Sequence, residues 1–220
     1  LCSRLAQLVP QGLAKFFFTD NGSSAIEVAL KMSFQYHLQT GHPQKRKFMA
    51  LTGAYHGETL GALSVSGLSL NASTYQPLLL DIVRITGPDC YRCPYGLDRE
   101  SCAAECFEHA ETALALHGKE TCGFIVEPLV QAAAGMRIYP PVYLKKLRMA
   151  CDLHNVHLTA AEIAVGYGRP VKMFPFDHAG ICPHLMGLST GLTGGCLPLA
   201  LAVTAQTIDD ARYRCYTGNK

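Results

Sequence analysis

Charge is scarce in this chain. Of its 220 residues only 16% are Asp, Glu, Lys or Arg, against about 25% in a typical soluble domain. The balance is nearly even, 19 basic against 17 acidic residues for a net charge of +2. There is thus no basic excess of the kind that holds nucleic acid or an anionic membrane, and neither is expected as a partner. The start, Leu1-Cys2-Ser3, has no initiator Met and no basic stretch followed by an apolar run, so no signal peptide is expected. Internal repeats and low-complexity tracts are missing as well. With 49% hydrophobic residues, the composition excludes a disordered chain, which would combine low hydrophobicity with high net charge. The length suits one large domain or two small ones, with room for a sizeable core. A surface this poor in charge is expected to be covered in part, by a partner subunit or by further parts of the protein.

Ten cysteines are present. In a chain of this length with an ordinary apolar core they are expected to be reduced, buried thiols rather than a disulfide scaffold, which points to the cytoplasm. The stretch from Leu185 to Ile208 carries no charge and is long enough to span a bilayer. Its five glycine and proline residues (Gly187, Gly191, Gly194, Gly195, Pro198) favour a buried strand–loop–strand instead.

Short apolar runs alternate with helical periodicities, the pattern of an α/β fold. Phe16-Phe17-Phe18 reads as a short buried strand closed by the turn-prone Thr19-Asp20-Asn21-Gly22. Ser23 or Ser24 is expected to cap a helix through about Leu38, with Ile26, Ala29, Leu30 and Ser33 at helical spacing. Further strands are expected at Lys47 to Leu51, Gly123 to Val126, Val156 to Thr159, Leu185 to Leu188 and Leu199 to Val203. A helix is expected from Pro140 to Leu153. Strand, helix, strand in this order implies a mostly parallel sheet with helices on both faces, whose ligands sit at the carboxyl ends of the strands.

Several segments could carry chemistry. Asp20-Asn21-Gly22-Ser23-Ser24 joins a strand end to a helix start, where free N–H groups and the helix dipole favour an anion; a plain capped helix is the bland alternative. Tyr55 and His56 sit on a glycine-flanked loop after the next strand, where Tyr55 could stack on a planar ligand or simply pack. Glu127 and Glu162 each end a buried strand, where an unpaired carboxylate is costly and a paired or functional one is expected. Cys90, Cys93, Cys102 and Cys106 could in principle hold a tetrahedral zinc, although their central gap is short for common zinc modules. His178 and His184 have no ligand-spaced partners.

Taken together, these pieces resemble the class III aminotransferases, which use pyridoxal phosphate. The resemblance is carried by Phe17 through Lys31, by Gly53-Ala54-Tyr55-His56-Gly57-Glu58-Thr59, by Ile125-Val126-Glu127-Pro128, by Gly166-Tyr167-Gly168-Arg169 and by Gly191 through Gly195. The stretches Ala62 to Gly67 and Tyr91-Arg92-Cys93-Pro94 resemble the biotin-pathway subgroup, which moves an amino group onto 8-amino-7-oxononanoate. The resemblance implies the type I fold of pyridoxal-phosphate enzymes and a homodimer acting on small amine and keto substrates. It implies that Gly22 and Ser23 bind the cofactor phosphate and that Tyr55 lies against its ring. It also implies that residues 1–220 are most of the cofactor-binding large domain, without the N-terminal part of the small domain and without the C-terminal domain. The cysteine-bearing segment belongs to the family pattern, which weakens the zinc reading.

The chain departs from the family at the chemical centre. Where the family has the lysine that carries the cofactor as a Schiff base, this sequence has Thr190; where it has the Asp that keeps the pyridine nitrogen protonated, it has Ala161. Thr has no amine to attach the cofactor, and Ala cannot hold the ring proton. Lys172 is a position where the family also has an ordinary lysine. Ala132 stands for a usual Gly, Pro170-Val171 for Thr-Gly and His184 for Asp. Tyr216 to Asn219 resembles a segment found further downstream in the family, with Cys215 at a Ser/Thr position that reaches the neighbouring subunit's phosphate. The expectation is a family member without turnover. A non-catalytic partner subunit, a degenerate product without function and another class III ω-aminotransferase are the alternatives.

Overall fold

The computed structural model describes residues 1–67 and 73–214. In chain order the strands are β1 (Leu13–Thr19), β2 (Lys47–Leu51), β3 (Ile82–Ile85), β4 (Thr121–Val126), β5 (Val130–Gln131), β6 (Arg137–Ile138), β7 (His157–Ala161), β8 (Leu185–Leu188) and β9 (Ala200–Ala205). The helices are α1 (Cys2–Leu8), α2 (Gly22–Gln39), α3 (Leu60–Val65), α4 (Glu108–His117), α5 (Pro141–Leu153), α6 (Phe176–Ala179) and α7 (Gln206–Arg214). Cys215 and the Tyr216 to Asn219 stretch lie outside the described residues.

Seven strands form one sheet in the order β1-β9-β8-β7-β4-β2-β3. The pairs β2–β3, β2–β4, β4–β7 and β7–β8 are parallel, while β9 runs antiparallel to both of its neighbours, β1 and β8. Every strand except β9 therefore points the same way, and their carboxyl ends share one edge. The mostly parallel sheet expected from the sequence is present.

Strand side chains alternate between the faces, so each strand feeds two cores. Met49, Leu51, Phe124, Leu158, Met186 and Leu188 pack with Leu114 of α4, Leu144 and Leu147 of α5 and Phe176 of α6. On the other face Phe48, Ala50, Ile125 and Ala161 pack with Ile26 and Leu30 of α2 and with Val65 of α3. Each fully buried aliphatic side chain contributes about 1.5–3 kcal/mol. Close approach of α2 to the sheet depends on Gly187: a Cβ there would stand 2.8 Å from Ile26 Cδ1.

Two local expectations need correction. The α2 cap is Asn21, whose side chain accepts the Ser24 N–H at 2.9 Å. Gly22 already has helical backbone, so the capping position falls before either serine. Phe16, Phe17 and Phe18 do lie in a strand, but Phe17 and Phe18 are exposed, because β1 is the sheet's edge strand and pairs only with β9. The uncharged Leu185 to Ile208 stretch forms β8, a loop and β9 before entering α7. Among the described residues no helix is long and apolar enough to cross a membrane.

Candidate functional site

The sheet brings every sequence-predicted site residue to its carboxyl edge. Gly22 and Ser23 follow β1, Tyr55 follows β2, Glu127 follows β4, Ala161 ends β7, and Thr190 stands two residues past β8. The register reinforces this, since Ala161 pairs with Gly187 and the Glu162 N–H donates to the Gly187 carbonyl at 2.9 Å.

At the start of α2 the first-turn N–H groups have no acceptor within the helix, and the dipole adds partial positive charge. The Asn21 side chain accepts the Ser24 N–H, and its main-chain carbonyl accepts the Ala25 N–H. Gly22 lets the turn come close to the end of β7: a Cβ there would lie 2.9 Å from Ile163 Cδ1. Ser23 Oγ accepts the Glu58 N–H at 3.1 Å, which leaves its own proton to donate. Gly57 makes that contact possible, with φ +132° and no room for a Cβ, which would stand 2.9 Å from Ser23 Cα. The helix start and the Tyr55 loop thus close on one another. Glu27 of α2 strengthens the joint by accepting N–H groups of Gly61 and Ala62, at 2.6 and 3.3 Å, at the start of α3. Tyr55 is half-buried, and burial followed by the nearby Glu58 raises its phenol pKa.

Glu127 is buried, with Oε1 accepting the Tyr55 N–H at 2.9 Å and Oε2 the Ala132 N–H at 3.1 Å. Burial pushes its carboxyl up to about 7, against the pull of those two N–H groups. Glu162 is buried among Tyr139, Phe176 and Asp177, on the opposite face of β7 from Ala161, and desolvation raises its carboxyl well above the ordinary range. His56, behind Tyr55, is fully buried with both ring nitrogens unpaired, and burial lowers its pKa to about 3. Neither His56 nor Glu162 faces the anion cup as a ready acid or base.

Ala161 and Thr190, the two positions where the sequence is expected to depart from the family, differ in setting. Ala161 is 3% exposed within the apolar cluster around Ile26, Ile125 and Ile163. Thr190 is exposed at the head of a single 3-10 turn, Thr190–Thr193, on the rim of a cavity of about 1210 Å³. That cavity is lined mainly by apolar side chains, among them Val130, Met136 and Ile138 of the β5–β6 hairpin, with Arg99, Glu100, Arg169, His178 and Thr190 among its polar members. Lys172 donates to the Asp177 carbonyl at 2.9 Å and is part of its own loop rather than of the cup.

Cys90, Cys93, Cys102 and Cys106 line one small cavity of about 30 Å³ and are free thiols. Among the described residues, however, no group of three or more His, Cys, Asp or Glu side chains is arranged to hold a metal ion. The zinc arrangement that the spacing allowed is not formed. Sequence reasoning missed the Ala132 amide and Gln131, whose buried side chain donates to the Thr52 carbonyl at 3.1 Å. Gln131 ends a two-residue strand too short to show a period, and Ala132, just past it, acts only through its backbone.

Comparison with known proteins agrees with this geometry. The family model for aminotransferase class III matches residues 1–219. The adenosylmethionine-8-amino-7-oxononanoate aminotransferase of Geobacter sulfurreducens is 44% identical over 212 residues, 96% of this chain and 47% of that protein. The same-named enzyme of Nitratidesulfovibrio vulgaris is also 44% identical, over 96% of this chain and 39% of its own length. The crystal structure of the Methanocaldococcus jannaschii enzyme of that name superposes with a TM-score of 0.86 at 32% identity, covering 96% of this chain and 46% of the other. An amine transaminase from an uncultivated Pseudomonas species, in its PLP-bound internal aldimine form, superposes with a TM-score of 0.87 at 33% identity, over 96% and 47%. The chain thus spans about half the length of the relatives it matches. It belongs to the class III aminotransferases, a family whose cofactor is pyridoxal 5'-phosphate.

Proposed function

We propose that this chain is most of the cofactor-binding large domain of a biotin-pathway aminotransferase type, and that it binds pyridoxal phosphate without attaching it or turning over. The observation that carries the reading is the split within one site. The cup fits a phosphate: Gly22 and Ser23 offer helix-terminal N–H groups and a hydroxyl, and Gly57 closes against Ser23 with no space to spare. Tyr55 stands beside it as a surface for a planar ring. The covalent half does not fit. Thr190 offers a hydroxyl where an amine is needed, and Ala161 presents a methyl group in an apolar pocket where a protonated pyridine needs a carboxylate. When bound and activated, the cofactor serves as an electron sink for amino-group chemistry; this chain's residues supply phosphate recognition and a ring face only. The subgroup rests on the two 44% identical relatives, whose names specify 8-amino-7-oxononanoate as acceptor.

The test is equilibrium titration with pyridoxal phosphate, followed by borohydride. The expected result is saturable, phosphate-competed binding with no cofactor fixed to protein. Stoichiometric fixation would overturn the claim of no attachment, and absence of binding would overturn the retained cup. The double reversion Thr190→Lys with Ala161→Asp should fix the cofactor at position 190.

Exposed apolar side chains favour a second element of this reading, a homodimer. Phe18, Leu60, Leu78, Leu80 and Leu197 are all at least 39% exposed, and a charge-poor chain has little else to keep such surface in water. Light scattering at micromolar concentration should give twice the monomer mass.

A further inference from the structure

We propose that Glu127 is the positioning residue of this site: its carboxylate ties the Tyr55 loop to the β5–β6 hairpin and thereby fixes where the Tyr55 ring stands over the cup. The inference rests on the preceding reading of Tyr55 as the ring-facing residue, and goes beyond it to what holds Tyr55 there.

Three bonds meet at this one residue. Its two carboxylate oxygens accept the N–H groups of Tyr55 and Ala132, at 2.9 and 3.1 Å, and its main-chain carbonyl accepts the Tyr139 hydroxyl at 2.6 Å. Neither amide belongs to a helix or ladder that could satisfy it otherwise, so the carboxylate is what orders both loops. A second strut runs parallel, from the Gln131 side chain to the Thr52 carbonyl at 3.1 Å. The same hairpin lines the large cavity on which Thr190 sits. Glu127 therefore lies between the ring face and that cavity, and touches neither the phosphate cup nor its serine. The choice of residue type follows: only a carboxylate offers an acceptor to each of two N–H donors, whereas an amide in its place turns an NH₂ toward one of them.

The experiment compares Glu127→Gln, Tyr55→Ala and the double variant, each titrated with pyridoxal phosphate and, separately, with inorganic phosphate. A positioning role predicts that Glu127→Gln weakens pyridoxal phosphate binding about tenfold, the equivalent of one lost ordering contact, with phosphate affinity within about twofold of the parent. The double variant should lose no more than Tyr55→Ala alone, because the two act through one contact. Equal losses for both ligands, or additive losses, would make Glu127 merely structural and overturn the proposal. Amide hydrogen exchange in the unaltered, ligand-free chain gives a second readout. Tyr55 and Ala132 should be protected, and both should lose protection together in Glu127→Gln. Unprotected amides at those positions would overturn the proposal whether or not the variant folds. If the unaltered chain binds phosphate but not pyridoxal phosphate, the ring-face reading fails on its own, and the exchange measurement still decides the role of Glu127.

Discussion

Val171 shows at the scale of one residue how the sequence and its backbone disagree. It closes the turn Gly168–Val171, its N–H donating to the Gly168 carbonyl at 3.1 Å, and it adopts φ +79° with its side chain 91% exposed. A β-branched side chain in the left-handed region is strained by about 1–2 kcal/mol, and no packing here repays it. The family resemblance places Gly at this position, and the chain keeps the glycine conformation under a valine. Glycine would relieve the strain but lose about 0.5–1 kcal/mol through the freedom it restores to the unfolded chain. Val171→Gly should therefore stabilise by about 0.5–1 kcal/mol and raise Tm by about 1–4 °C. A calorimetric scan with Tm unchanged or lowered would mean that the turn relaxes in solution. Thr190 and Ala161 differ from this case, because they are comfortable where they stand: one is solvent-exposed, the other packed in an apolar cluster. Neither residue strains the fold where it stands.

Among elements, Lys45 joins α4, α5 and β4 in a way that no periodicity reveals. Its side chain is buried, and Nζ donates to the carbonyls of Gly118, Thr121 and His154 at 2.6, 2.9 and 3.1 Å. Gly118 and His154 are the C-terminal caps of α4 and α5, where carbonyls lack helix partners and the dipole favours a cation. All three ammonium protons are matched by these three acceptors. Lys45→Met keeps the stem and removes the charge, leaving buried carbonyls unpaired, so a loss of about 2–4 kcal/mol is expected. A urea midpoint within error of the parent would show that water replaces the ammonium. The elements that could be read from the sequence had strong local signals: β2, β4, β7, β8 and β9 as apolar runs, α2 and α5 as helices with clear starts. Those that could not be read lack them. In α4 only Ala110 and Leu114 are buried, so it has no apolar stripe, and β3 is a four-residue edge strand. The site was legible because each of its motifs follows a strand in a sheet where all strands but one run the same way. The ties across it were not, because Glu127 and Lys45 act on backbone groups far away in sequence.

For the whole molecule, the shortage of charge extends into the interior, where four histidines are held neutral. His37, His157 and His184 form a column with ring centroids 4.6 and 5.2 Å apart, and Tyr36 covers His157 at 4.7 Å. Ser33 donates its proton to the Cys122 carbonyl at 2.9 Å, so the contact between His157 Nδ1 and Ser33 Oγ at 3.0 Å requires the imidazole to be the donor. Burial lowers the pKa of His37 and His184 to about 4 and that of His56 to about 3, and it takes His157 well below the ordinary value. Below the unfolded value of 6.5 the unfolded chain binds up to four protons that the fold refuses. Glu127 and Glu162 act in the opposite sense: their folded pKa values are raised, to about 7 and well above 4.5, so the fold holds up to two protons that the unfolded chain releases above pH 4.5. Around pH 5.5 the unfolded chain is therefore ahead by about two protons, and stability falls by about 2.7 kcal/mol per pH unit on acidification. Once the histidines are neutral in both states, the raised pKa of the two buried carboxyls is what remains, and it makes stability decline as pH rises. The urea midpoint should thus peak near pH 6.5–7, with a steep acid limb and a shallow alkaline one. Glu162→Gln should steepen the acid limb and make the decline above it gentler, because the amide keeps the neutral shape without the titrating proton that offsets the histidines. An acid limb that is flat down to pH 5 would mean that the histidine column is already protonated in the folded chain.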